Sequence, residues 1–141
     1  MKRIIVGIDG SDQGWSALKR AAELARATGA SLQIAHVTSP PISPLAAEDY
    51  LPTASRVEAQ EVYAQGLLRE AVTRAKDAGV EVTTESKVGS PAETLAELAQ
   101  AEEVTMVVVG HRGRNLAARL FVGSVADRLV QISPKPVLVV R

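Results

Sequence analysis

Three glycines and a serine bracket a basic segment. Gly110, His111, Arg112 and Gly113 run together, and nine residues later come Gly123, Ser124 and Val125. Glycine has no Cβ and tolerates positive φ, so such a chain can turn tightly and bring its N–H groups close to a ligand. Ser124 heads a periodic apolar stretch, Val125, Leu129 and Val130, and the first N–H groups of a helix there would lack intrahelical partners and attract anions. Between Glu103 and Asp127 there is no acid, while Arg112, Arg114 and Arg119 fall inside the window. In a chain of zero formal net charge this is a local positive field. The chemistry these residues support is capture of a polyphosphate by bare main-chain amides. The competing reading is a plain strand–loop–helix connection with solvated arginines, in which Ser124 and Asp127 make an ordinary capping box.

A second polar candidate follows the first apolar run. Asp9 can accept from ribose hydroxyls or lie near Mg²⁺; alternatively it caps the first helix together with Ser11. His111 either touches phosphate or is simply solvated, and His36, inside an apolar stretch, reads as a packed or rim histidine. The chain has no Gly-x4-Gly-Lys-Ser/Thr, no dinucleotide fingerprint and no Gly-x-Ser-x-Gly elbow. Ser124 therefore reads as a phosphate-binding N-cap rather than a nucleophile. Phosphoryl transfer needs a positioned base, metal ligands and charge-stabilising groups, and beyond Asp9 and three arginines these are not assembled. Binding is better supported than turnover.

The elements that must position these residues alternate in type. Lys2 to Ile8 is a compact apolar strand, followed by a helix that carries Leu18, Ala21, Ala22 and Ala25 and stops at Gly29. Leu32 to Val37 is a second strand, and its carboxyl end at Val37 is where α/β sheets place ligands, so a main-chain contact to a base is expected there. Residues 38–53 hold four of the seven prolines and read as a long loop, either a lid or a plain connector. A helix from about Arg56 to Ala78 turns Tyr63, Leu67, Leu68, Ala71 and Ala75 to the core, with Gly66 as a local weakness. Val80 to Glu85 stays polar and reads as an edge strand. Ser90, Pro91 and Glu93 open a helix that runs to about Glu102. The strand from Val104, the helix Ser124 to Ile132 and the strand Pro136 to Arg141 complete the chain.

Five strands alternating with four helices predict an α/β fold: a doubly wound five-stranded parallel sheet with helices on both faces. Asp9 and the Gly110 loop follow strands one and four, so these should be neighbours, giving the order 3-2-1-4-5. Strand five is then at an edge, although Val137, Leu138, Val139 and Val140 are too apolar for an exposed one. Homodimerisation through that strand is the physical expectation.

The Gly-x2-Gly-x9-Gly-Ser spacing, with Ile4 to Ser11 at one end and Pro134 to Arg141 at the other, resembles the universal stress protein family over the whole chain. The resemblance implies one domain over 1–141, an adenine nucleotide alpha hydrolase-like fold and a homodimer. It is to the ATP-binding branch, which implies that Gly110, Gly113, Gly123 and Ser124 hold phosphates and ribose and that Asp9 contacts the nucleoside. The expected nucleotide contacts are Asp9, Val37, Gly110, Arg112, Gly113, Gly123, Ser124 and Val125. The expected function is an ATP-binding regulatory protein of the stress response, not an enzyme, with ATP as the ligand, with or without Mg²⁺. A slow ATPase or small-molecule phosphotransferase and a nucleotide-independent adaptor are the alternatives.

Composition narrows the remaining classes. At 141 residues and 46% hydrophobic content the chain can bury a single core. The absence of Cys excludes disulfides and thiolate chemistry and suits a reducing interior. The first apolar run is too short for a signal peptide, and no apolar segment is long enough to span a bilayer, so a cytoplasmic protein with no membrane partner is expected. Sixteen basic and sixteen acidic residues, with one Trp, two Tyr and one Phe, argue against a nucleic-acid surface.

Overall fold

The computed structural model describes residues 2–40, 54–111 and 123–141. The expected lid over 38–53 falls largely outside them, as do Arg112 and Gly113.

Strand β1 (Arg3–Gly7) shows why the sheet is covered on both sides. Ile4 and Val6 point to one face and Ile5 to the other, and all three are at most 3% exposed. β1 pairs in parallel with β2 (Ser31–Thr38) and β4 (Val104–Gly110), so that Ile5 stands opposite Gln33 and Val107. β3 (Val82–Val88) adds to β2, and β5 (Val137–Val140) adds to β4. The sheet order is β3-β2-β1-β4-β5, as the ligand argument required.

Helix α1 (Asp12–Thr28) packs with α2 (Ala54–Ala75) over Ile4, Val6, Leu32, Ile34 and Val108. Helices α3 (Pro91–Leu98) and α4 (Ser124–Ile132) cover Ile5, Ala35, Val107 and Val109 on the opposite face. Leu18 from one layer and Leu129 from the other are fully buried. Burial of such a side chain contributes about 1.5–3 kcal/mol.

Several boundaries differ from the sequence expectation, for local reasons. α1 starts where expected: Ser11 is its N-cap, and Gly29 at φ 74° ends it with an N–H bond to the Ala25 carbonyl. α2 stops at Ala75, and its last turn tightens to a 3₁₀ turn over Lys76–Ala78. β3 is the edge strand its polarity predicts, but it begins at Val82 rather than Val80 and runs on past Glu85 through Ser86 and Lys87 to Val88. Lys87 and Glu85 form an ion pair of 3.1 Å on it. The capping box at Ser90 does not form with its side chain, and α3 ends at Leu98 instead of near Glu102. Ser124 is the first helical residue of α4, and Gly123 occupies the N-cap position expected for the serine.

Candidate functional site

α1 leaves β1 on one face of the sheet and α4 leaves β4 on the other, so a crevice opens between two neighbouring strands at their carboxyl ends. It is a cleft of about 700 Å³. Its floor is the end of β1 and β4, with Gly7, Ile8 and Val109. One wall is the start of α4, where Gly123, Ser124, Val125 and Ala126 line the space. The opposite wall is the end of β2, from His36 to Ser39, and Ala59, Gln60 and Tyr63 of α2. Pro91 and Leu95 of α3 complete it.

Six of the eight residues expected at the site, Asp9, Val37, Gly110, Gly123, Ser124 and Val125, line this one cleft. Arg112 and Gly113 belong to a segment outside the described residues. The ends of that segment are tied together: the Gly123 N–H donates to the His111 carbonyl and the His111 N–H donates to the Val140 carbonyl, both at 2.6 Å.

Asp9 is the only carboxylate among the described lining residues. Its Oδ1 accepts from the Ser11 N–H at 3.0 Å and the Ser11 hydroxyl at 2.5 Å, and the Ser11 Oγ accepts from the Gly14 N–H at 3.1 Å. The turn needs φ +84° at Gly10, which glycine allows. The two readings of Asp9 are therefore compatible in geometry: it ties down the start of α1 and also faces the cleft. Gly14 is required for the same reason, since a Cβ there would stand 2.9 Å from Asp9 Oδ1.

Gly110 has a reason of its own. A Cβ at that position would stand 2.8 Å from the Gln13 main chain, so the glycine lets the first turn of α1 close against β4. Its backbone does not use positive φ. The tight turn expected from glycine's positive φ is not what requires it here; packing against Gln13 supplies a cause that local spacing does not show.

The cleft has two chemically different ends. At α4, and at the starts of α1 and α3, helix N-termini meet the space with N–H groups and positive dipole ends. At β2 and α2 the wall is neutral, with an aromatic ring. Behind the first end, Arg128 of α4 holds Glu93 of α3 at 3.0 Å. That guanidinium, helped by Glu93's own N–H, keeps the carboxyl below the usual range. Among the described residues, no group of three or more His, Asp or Glu is placed to hold a metal ion.

The model of the Universal stress protein family matches residues 1–141. The chain belongs to that family. It is 35% identical over 145 residues to the universal stress protein YxiE of Bacillus subtilis, covering 99% of this chain and 98% of the relative. Universal stress protein UspA from Lactobacillus plantarum superposes with a TM-score of 0.85 at 26% identity, over 99% of this chain and 97% of that one. A universal stress protein solved in complex with cAMP superposes with a TM-score of 0.76 at 35% identity, with the same coverage. The sheet order and the helices on both faces are those of this family's fold.

Sequence reasoning missed one wall of the cleft. Tyr63 was assigned to the core face of its helix by spacing with Leu67 and Ala71, yet it is 44% exposed and overhangs the cleft. Gln60, Pro91 and Leu95 reach it through helix packing, which local spacing does not encode. Gly14, one turn into α1, had a readable signal in its nearness to Asp9.

Proposed function

We propose that the protein binds an adenine nucleotide, ATP in the first instance and with or without Mg²⁺, and acts as a cytoplasmic regulatory homodimer in a stress response. The observation that carries this reading is the convergence of Asp9 and the Gly123-Ser124-Val125 amides on one cleft of about 700 Å³, a volume in the range of small-molecule sites. Phosphates fit the amide-rich end, ribose hydroxyls fit Asp9, and the base fits the neutral slot at Val37. A relative of the same fold at 35% identity was solved with cAMP, which supports an adenylate. Arg112 and Gly113 belong to the proposed phosphate loop on sequence grounds. Binding rather than turnover is the reading, because Asp9 is the only carboxylate among the described residues of the cleft and phosphoryl transfer needs a base, metal ligands and charge-stabilising groups together. Among the described residues no helix is long and apolar enough to cross a membrane. The homodimer would form through β5, whose four residues are all half-buried with one side of the strand unpaired in the sheet.

The test is thermal melting with ATP and Mg²⁺. A ligand that binds only the folded state stabilises it by about 2.7 kcal/mol at a hundred times Kd. The melting temperature should rise with ATP in the parent and stay flat in Gly113→Val. An unchanged melting temperature in the parent at saturating ATP overturns the proposal.

A further inference from the structure

His36 is a buried polar residue that neither the fold nor the phosphate end accounts for. It is 7% exposed, and its Nδ1 lies 2.9 Å from the Ile8 carbonyl. A carbonyl can only accept, so Nδ1 carries the proton, and in the neutral ring Nε2 is then an acceptor. Nε2 makes no hydrogen bond among the described residues and is not fully enclosed. His36 lines the cleft, and the Ile8 carbonyl already occupies the Nδ1 side of its ring. The Tyr63 ring meets the imidazole edge-on, with centroids 6.1 Å apart, and holds its orientation from the α2 side.

The position of this acceptor follows from the topology. α4 stands over β4 and β5 on one face, while α2 stands over β2 and β3 on the other, so His36 and Tyr63 are at the end of the cleft remote from the amides of Ser124 and Val125. A nucleotide with its phosphates at α4 and its ribose at Asp9 puts its base here. We infer that His36 is a specificity-determining residue of the cleft: its Nε2 accepts from the exocyclic amine of a 6-aminopurine, with Tyr63 as the residue that positions the ring. This rests on the nucleotide reading above and adds the group that reads the base.

The experiment compares ATP with purine riboside triphosphate, which lacks only the amine, by calorimetric titration. The parent should bind ATP about tenfold more tightly, the effect of one lost buried hydrogen bond. His36→Asn keeps an N–H close to where Nδ1 stands and leaves nothing at Nε2. It should bind the two nucleotides within about twofold of each other, whereas His36→Gln should restore part of the gap. Because each variant is read as a ratio of two ligands, a loss of stability does not mimic the result, and the parent comparison needs no variant. Equal binding of both ligands by the parent, or an unchanged gap in His36→Asn, overturns the inference while nucleotide binding stands. If 2′- or 3′-deoxy-ATP, and not the purine analogue, loses its dependence on His36, the nitrogen faces the sugar and the inference falls. No binding of any nucleotide sinks both readings.

Discussion

Gly110 and Gln13 touch main chain to main chain: no room exists between the end of β4 and the first turn of α1 for even one methyl group. Gly110→Ala should therefore destabilise the protein by about 1–3 kcal/mol through overpacking, lowering the melting temperature by roughly 3–9 °C with or without nucleotide. Calorimetry of the ligand-free protein checks this. A variant that melts like the parent but no longer binds nucleotide would show that the residue is glycine for the ligand alone.

Asp9 has two duties that two substitutions separate. Asp9→Ala removes the acceptor for both Ser11 bonds and should cost about 1–3 kcal/mol, with nucleotide affinity lost as well. Asp9→Asn keeps an acceptor oxygen and most of the turn, yet it no longer offers a charged acceptor to ribose. Its affinity should fall about tenfold. Equal affinity in Asp9→Asn and the parent would confine Asp9 to its structural duty.

Gly66 lies within α2, exposed, with nothing within 4 Å of where a Cβ would stand. Gly66→Ala should raise stability by about 0.5–1 kcal/mol, since glycine is that much poorer in a helix interior. Urea denaturation measures it, and an unchanged midpoint would contradict the helix assignment there.

The Glu93–Arg128 pair gives a signed pH dependence. Arg128 lowers the Glu93 pKa in the folded protein, so the pair's contribution is present above the unfolded carboxylate value of about 4.3 and is lost as pH falls through the folded value. The pair is exposed, and its contribution is small and screened by salt. Glu93→Gln should melt slightly below the parent at neutral pH and low salt, and the two should converge in acid, once Glu93 is protonated in the folded parent as well. A gap that widens in acid would rule out the pair as its source.

The proposed homodimer makes a prediction about alternation in β5. The Pro136 carbonyl accepts from Val107 of β4 and the Val140 carbonyl from His111 just after it, so the main chain at Val137 and Val139 points to the open side. Val139→Pro removes an outward N–H without breaking the β4 ladder and should yield a folded monomer in sedimentation. Leu138→Pro should instead destabilise the sheet. A Val139→Pro protein that sediments as the parent does, with the parent a dimer, would place the interface elsewhere.

The fold was legible because the central strands are apolar on both faces and the glycines at 29 and 79 end helices, so local pattern and tertiary outcome agree. The order of the strands followed from requiring Asp9 and Gly110 to share one crevice. The site was half legible. Residues that sit in turns, such as Asp9 and Gly123, carry their role in their type and spacing. Tyr63 does not, since an aromatic at helical spacing looks the same whether it packs inward or overhangs a cleft. Ser124 was displaced by one position from the cap because glycine and serine compete for it at neighbouring sites. The packing reason for Gly110 was not legible, because the approach of Gln13 is a long-range contact.

The two margins of the sheet are chemically unequal. β3 presents threonines and the charged pair Glu85 and Lys87, whereas β5 is four aliphatic residues. Were the proposed pairing through β5 to form, the polar border at β3 would stop the assembly at two members. Growth into fibrils would need the polar margin to accept an incoming strand, and its charges make that unfavourable.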